Sequence, residues 1–369
     1  MAQAMRGQFV ERDAVIEGMV CAALAGENVL LLGPPGTAKS ALARALCEAV
    51  DGSQYFEWLL SKFSAPEELY GPISLTALKA DRYERITAGK LPECHVAFLD
   101  EIFKANSGIL NSLLTAINER KFHNGAAPTN IPLRMVVGAS NELPEGPELG
   151  ALYDRFLLRY WVDYVSTPDA FVSMVTSADP GVGSGITLAQ WDEARAEVAA
   201  VTFDQEAARA LYKLRIELAS KSVHPSDRRF KRAAKLLRAN AWMSEDSQVS
   251  EDHFGILADV LWDNPEQRTP VAEVVNKLAS SILGEANKIV DMVSDQVENL
   301  PAAPASPNKD WQDRLVALNR DGNRAVQQLK ALETKARNAR QRDAVGVAIK
   351  TVTSKLGPVR QMAREALGL

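Results

Sequence analysis

The spacing of apolar positions along this chain changes character twice. Between about 8 and 165, short apolar runs alternate with stretches of helical periodicity, as expected for a parallel α/β sheet flanked by helices. Strands are expected at 28–32, 96–99 and 134–139, with further candidates at 55–58 and 159–163. Beyond Thr167-Pro168 only helical spacing is left. Leu188, Trp191, Ala194 and Val198 share one face, and further helices are expected around 204–220, 226–243 and 251–262. Asp263-Asn264-Pro265 then punctuates the chain.

From about 270 the apolar stripe lengthens. Val271, Val275, Leu278, Ile282, Ala286, Ile289, Val293, Val297 and Leu300 recur in steps of four and three, which predicts one helix of about thirty residues. Pro301, Pro304 and Pro307 must stop it. A second stripe runs through Leu315, Leu318, Ala325, Leu329, Leu332, Ala336 and Ala339. A third spans about 343–367, with a kink expected at Gly357-Pro358. Long helices folding back on one another would bury these stripes, so they describe an arm rather than a cofactor site. The expected domains are an α/β core at 1–167, an all-α lid at 168–265 and a helical arm at 266–369 with a Pro/Ala linker at 301–308.

Two segments give the core its chemistry. The first is Gly33-Pro34-Pro35-Gly36-Thr37-Ala38-Lys39-Ser40, which follows the apolar run 28–32 and precedes a helix-like run beginning at Ala41. A strand, a Gly-rich turn ending in Lys-Ser and a helix form a phosphate cradle built from backbone N–H groups and a helix N-terminus. Lys39 would reach the β/γ-phosphates and the Ser40 hydroxyl would hold Mg²⁺. Ala38 departs from the strict pattern, which has glycine there. A plain strand–turn–helix is therefore the alternative until a second motif appears.

That motif is Val96-Ala97-Phe98-Leu99-Asp100-Glu101, an apolar strand ending in adjacent carboxylates. Asp100 fits the acid that holds the metal, directly or through water, and Glu101 can polarise the attacking water. The bland alternative is an N-cap and first-turn acid for the next helix. A third buried strand, 133–139, ends in Ser140-Asn141-Glu142. Ligands lie beyond the carboxyl ends of strands in such sheets, so Asn141 is placed to orient the water. It could otherwise simply close the strand.

The order of these motifs, followed by Leu152-Tyr153-Asp154-Arg155-Phe156-Leu157-Leu158-Arg159, resembles the AAA+ ATPases. More narrowly it is similar to the MoxR family and its RavA group, over about residues 8–265. Asn111-Ser112-Leu113-Leu114-Thr115-Ala116-Ile117-Asn118-Glu119-Arg120 is among the most specific pieces, and Ala38 is shared with the family. The resemblance implies an ATP- and Mg²⁺-dependent ATPase with Gly33 to Ala41 as its nucleotide loop. It makes Lys39 and Ser40 the Walker A lysine and hydroxyl, Asp100 and Glu101 the Walker B pair, and Asn141 sensor 1. Arg155 matches an arginine finger inserted by a neighbouring subunit, with Arg159 as second candidate. Arg228 matches sensor 2 at the start of a lid helix, with Arg229 as the alternate. Also implied are a homo-oligomeric ring, usually a hexamer, and a partner bearing a von Willebrand factor A domain. Two insertions on the pore face match residues 62–90 and 121–134. The β-rich domain that usually interrupts the RavA arm has no counterpart here, only the stretch 301–308.

Composition narrows the field further. Hydrophobic residues make up 46% and charged residues 24% of the 369, suited to a soluble protein. No apolar run approaches the roughly 18 residues that span a bilayer, and no signal peptide is evident, so a cytoplasmic location is expected. Cys21, Cys47 and Cys94 are expected as buried apolar residues, and the four histidines lack metal-ligand spacing. The net charge of −5 hides an asymmetry, because residues 309–369 carry 13 Lys/Arg against 6 Asp/Glu. The acidic remainder argues against tight non-specific DNA binding. The leading expectation is thus a ring-forming chaperone-like ATPase that remodels a client the sequence does not identify. A nucleic-acid-stimulated motor and an ATP-switched assembly scaffold are the alternatives.

Overall fold

Five strands form one parallel sheet in the computed structural model, which describes residues 1–125, 128–177, 181–183, 185–279, 282–300, 309–335 and 339–367. They are β1 (Asn28–Leu32), β2 (Tyr55–Leu59), β3 (Val96–Asp100), β4 (Met135–Ser140) and β5 (Phe156–Trp161), in spatial order β2-β3-β4-β1-β5. Every residue of β1 and β4 is buried, which explains why both read as continuous apolar runs rather than alternating ones. Register pairs Leu32 with Ser140 on one side and Trp161 on the other, and Leu59 with Asp100. The carboxyl ends of all five strands therefore face one edge. The helices α1 (Asp13–Ala25), α2 (Lys39–Glu48), α3 (Ser107–Glu119) and α4 (Pro147–Tyr153) belong to the same core.

The one polar residue inside β1, Asn28, is fully engaged. Its Oδ1 accepts from the Val136 amide at 3.0 Å and from Arg120 at 3.1 Å, and its Nδ2 donates to the Arg155 carbonyl. These bonds tie β1, β4 and the chain before β5 together at the amino ends, so the opposite ends are fixed in register.

The stretches 62–90 and 121–134 pack on each other. Lys121–His123 pairs antiparallel with Pro128–Asn130, and Ile73 bridges Arg85. Asn124 accepts from the Arg85 amide at 2.7 Å and returns a bond to its carbonyl, while Tyr70 and Phe122 stack 5.1 Å apart.

The mostly helical region that follows begins with α5 (Pro168–Thr176), then α6 (Leu188–Ala200), α7 (Gln205–Ser220) and α8 (Asp227–Met243). It carries two-residue parallel strands, Thr202–Phe203 on Gln248–Val249 and Ile186–Thr187 on Val50–Asp51. Each helix starts where a side chain caps it: Thr167, Thr187, Asp204 and Ser226 all accept from a first-turn amide. The helix expected at 251–262 is instead a 3₁₀ segment, Glu251–Asp259. His253 accepts from the Ser250 amide at 2.9 Å, and the Val260 amide turns to the Leu257 carbonyl, so the chain winds more tightly while burying Phe254 and Leu257.

By contacts the chain divides into two units, Met1–Val274 and Val275–Leu369. The single helix expected from 271 to 300 is two, α9 (Arg268–Leu278) and α10 (Ile282–Glu298). α9 ends at Leu278, and Ala279 after it lies in a bend. With α11 (Lys309–Lys335) and α12 (Ala339–Leu367), α10 forms a three-helix bundle around Val293, Leu329, Val352 and Leu356. Gly322 lets α11 approach closely, since a Cβ there would lie 2.4 Å from a Leu356 methyl. As one helix over the expected span, α12 runs through Pro358, the position of the expected kink. The expected linker 301–308 lies outside the described residues, as does Ala336. All three cysteines are buried free thiols.

One buried carboxyl bears on stability. Asp259 is pushed up to about 6 by burial, against an opposing pull from Arg268. Its ionised form therefore costs folding energy above that value. Asp259→Asn is expected to raise the unfolding free energy by roughly 1–2 kcal/mol at pH 7. Denaturant melts should show that gain shrinking as the pH falls through 6 and vanishing below about pH 3, where Asp259 is protonated in both states.

Candidate functional site

The loop after β1 is held by its own backbone. The Gly33 amide donates to the Ser140 carbonyl at 3.1 Å, which anchors the loop to β4. Gly33 has φ +139°, and a Cβ there would sit 2.1 Å from the Val162 carbonyl oxygen, so only glycine fits. Gly36 is also left-handed at φ +77°, but it faces open space. Thr37 Oγ1 donates to the Pro34 carbonyl at 3.0 Å. Ala38 adopts φ +66° at the N-cap of α2, a conformation that costs a non-glycine residue roughly 1 kcal/mol. The glycine of the strict pattern has thus been replaced without changing the backbone shape it serves.

Lys39 Nζ donates to the Gly33 and Pro34 carbonyls at 2.8 and 2.7 Å, folding back over the loop. Burial lowers its pKa, while Asp100 and Glu101 pull it up. Asp100 ends β3, and its Oδ1 accepts from the Glu101 amide at 3.0 Å. Glu101 is itself left-handed at φ +51°, a strained position of the kind that clusters at functional sites. Lys104 Nζ lies 3.3 Å from its carboxylate. With the Asn141 amide oriented to donate, its nitrogen sits 2.9 and 3.0 Å from the two Glu101 oxygens. Lys39, Ser40, Asp100, Glu101 and Asn141 line one cleft of about 390 Å³ together with the loop residues Pro35 to Ala38. Strands β1, β3 and β4 are neighbours, so segments far apart in sequence meet here.

The donor set suits a magnesium nucleotide. One hydroxyl and one carboxylate offer hard oxygens to a metal that takes few protein ligands and fills its shell with phosphates and water. An ammonium and a turn of backbone amides suit the phosphates. Among the described residues no cluster of three or more His, Cys, Asp or Glu could hold a metal by itself.

None of the four expected arginines lines this cleft. Arg159 is 1% exposed; it donates to the Trp262 carbonyl at 2.6 Å and to Asp263 at 2.7 Å, and lies 3.6 Å over the Tyr153 ring. It ties β5 to the end of the lid and has no reach beyond the chain. Arg229 is likewise buried, donating to the Val260 and Leu157 carbonyls, and desolvation brings its pKa down to about 9. The expectations of Arg159 as a finger and Arg229 as an alternate sensor give way to these internal bonds. Arg155 and Arg228 differ. Both flank one carboxylate, Asp154, at 3.9 and 4.0 Å, and Arg228 is half-exposed. Burial and then the neighbouring Arg228 lower the pKa of Arg155, and its Nε has no hydrogen-bond partner.

Residues 1–178 match the family model described as the MoxR domain of MoxR–vWA–β-propeller ternary systems, and residues 206–275 match an AAA lid domain. Among curated proteins, an uncharacterised protein of Methanocaldococcus jannaschii is 35% identical over 301 residues, 80% of each chain. The chain belongs to the MoxR family of AAA+ ATPases. A second M. jannaschii protein is 36% identical over 297 residues, 79% of this chain and 78% of its own. A structural protein of Acidianus two-tailed virus is 29% identical over 207 residues, 52% of this chain and 33% of its own. A solved structure from Cytophaga hutchinsonii, described as a candidate ATPase, superposes with TM-score 0.60 over 75% of this chain and 91% of that one. At 16% identity it shares the fold alone.

This MoxR chain also has a second cleft that motif reading missed. About 540 Å³ in volume, it adjoins the first through Ser40 and is lined by Gly7, Phe9 and Val10, by Ala41 and Arg44 of α2, and by Met174 of α5. The N-terminal strap is pinned there. Glu11 accepts from the Ser166 amide and hydroxyl and from the Thr167 amide and hydroxyl, bonds that hold its pKa at about 2. Thr167 caps α5, so one carboxylate joins the strap to the start of that helix. Gly7-Gln8 ahead of α1 was the only sequence cue, and it fits no fixed spacing. In this MoxR protein, Gly33→Ala is expected to cost roughly 3 kcal/mol. Gly36→Ala is expected to cost only about 1 kcal/mol, since its Cβ meets nothing. Parallel urea titrations of the two variants read this difference directly.

Proposed function

We propose that this protein is a ring-forming, Mg²⁺-dependent ATP hydrolase, a MoxR-type chaperone that remodels or matures a partner protein. The observation that supports this reading most is the convergence of Lys39, Ser40, Asp100, Glu101 and Asn141 on one cleft. In this reading Gly33 to Ala41 cradle the phosphates, and Ser40 and Asp100 hold the metal. Bound Mg²⁺ supplies charge neutralisation at the β- and γ-phosphate oxygens. Lys39 swings from the Gly33 and Pro34 carbonyls to phosphate oxygens of similar polarity. Glu101 accepts the proton of the attacking water, and Asn141 fixes the carboxylate that does so. The second cleft, beside Ser40, takes the base and ribose.

The ring follows from the arginines. Neither Arg155 nor Arg228 lines the chain's own cleft, and both share Asp154. We assign both to the nucleotide of an adjacent subunit, Arg155 as finger and Arg228 as sensor 2, in a homo-oligomer taken to be a hexamer. The matched family model describes MoxR–vWA–β-propeller systems, which supports a von Willebrand factor A domain protein as partner. By its motifs the chain is RavA-like, without that group's inserted β-rich domain. No described helix is long and apolar enough to cross a membrane. Free buried thiols suit the reducing cytoplasm we assign to it.

Glu101→Gln is expected to bind ATP with near wild-type affinity while hydrolysing it at least roughly 100-fold more slowly. Asn141→Ala should lower turnover with little change in affinity. Equilibrium binding of a fluorescent ATP analogue beside phosphate release measures both. Wild-type turnover in Glu101→Gln would remove the site assignment. Stimulation by DNA or RNA that falls steeply with salt would favour a nucleic-acid motor instead.

A further inference from the structure

A second concavity of the unit Met1–Val274 lies between α1, α6 and the end of α8. Two adjoining hollows of about 310 and 630 Å³ share Glu197, Trp242 and Met243, so they form one groove. Neither shares a lining residue with the phosphate cleft or with the cleft beside it. The floor is apolar: Val20 and Leu24 from α1, Ile186, Ala194, Trp242 and Met243. The ionisable side chains along its length are all carboxylates, with no Lys or Arg among the lining residues.

We propose that this groove docks a basic amphipathic helix of a partner protein. Its walls come mainly from α1, α6 and α8, with Ile186 from a two-residue strand too short to be extended by pairing, so a helix laid lengthwise is the element it accepts. Trp242 is held in place by its Nε1 bond to Glu197 at 2.8 Å, which makes it a rigid anchor, and Met243 beside it adapts to the side chains it meets. Charge selects the partner. Glu193, Glu197 and Glu245 are exposed on the rim, whereas Asp246 is committed to His253 at 3.0 Å. A helix with Leu-type residues on one face and Lys or Arg on its flanks meets both the floor and the rim. The unit as a whole carries 27 Lys/Arg against 37 Asp/Glu, so the approach of such a segment is favoured at long range. An acidic or neutral helix would leave the glutamates facing like charge or no charge.

The test uses the full chain without nucleotide, so its outcome is independent of the ATPase reading. The probe is a fluorescein-labelled synthetic peptide with Leu at i, i+3, i+4 and i+7 of each repeat and Lys elsewhere, followed by anisotropy. Binding is expected to weaken roughly tenfold or more in Glu193→Lys/Glu245→Lys, which leaves the Glu197–Trp242 bond in place, and in Ala194→Trp, which fills the floor. It should be unchanged in Glu251→Lys/Glu266→Lys, the same charge change at exposed positions outside the groove. A scrambled peptide of identical composition should bind at least roughly tenfold more weakly than the striped one. Equal loss in both charge-reversal pairs, or equal binding of scrambled and striped peptides, would overturn the proposal.

Discussion

The polarity of one sheet governs everything else in this molecule. Parallel strands send every carboxyl end to the same edge, and β1 sits between β4 and β5 with β3 one strand further out. A turn after β1 is thereby brought beside the acids that end β3 and the asparagine that follows β4. The Gly33 amide bonded to Ser140 locks that arrangement, because it stitches the phosphate loop to the neighbouring strand before the loop begins its turn. At the other end Asn28 joins β1 to β4 and to Arg155 through buried hydrogen bonds. A slip of one residue in β1 would break both stitches and leave Asn28 buried without its partners.

A second constraint acts through Asp154, at the turn between α4 and β5. Three arginines approach this carboxylate, and burial sorts them. Arg229 is sealed inside and bonded to backbone carbonyls, Arg155 is mostly buried with its Nε unbonded, and Arg228 is half-exposed. In the proposed function the cleft at one edge of the sheet is the phosphate-binding half of a site, and the two arginines lie outside it. In the proposed ring each nucleotide is completed by a neighbour, so assembly and hydrolysis become one event. The Glu11 clamp, which spans the strap and the cap of α5, ties that helix to the cleft beside Ser40.

Strands and cleft residues were legible in sequence because their signals are local. Continuous apolar runs, glycines with left-handed backbones and acids at a strand end all lie within a few residues of one another. The arginines were not legible in the same way. Arg155 and Arg159, or Arg228 and Arg229, are near-equivalent by spacing, and only the path of Trp262-Asp263 and Val260 past them decides which is buried. The second cleft escaped for a similar reason, since the strap, α2 and α5 come from three distant segments with no shared motif. The 3₁₀ winding at Glu251–Asp259 follows from a side-chain bond of His253 that periodicity cannot register. Pro358 marks the limit of a local rule: packing of α12 in the bundle carries the helix through a residue that would end it in isolation.

The central claim is that each ATPase site draws its arginine from the adjacent subunit. Mixing two inactive variants tests it most directly. Arg155→Ala keeps its own Lys39, Asp100 and Glu101 but gives nothing to its neighbour; Glu101→Gln lacks a working site yet still offers Arg155. Each alone should be depressed by roughly 10³-fold or more. Mixed in equal amounts and allowed to exchange subunits, they should recover a measurable fraction of wild-type phosphate release, as intact sites pair with intact arginines. A mixture that exchanges subunits yet stays as inactive as its components would contradict the account.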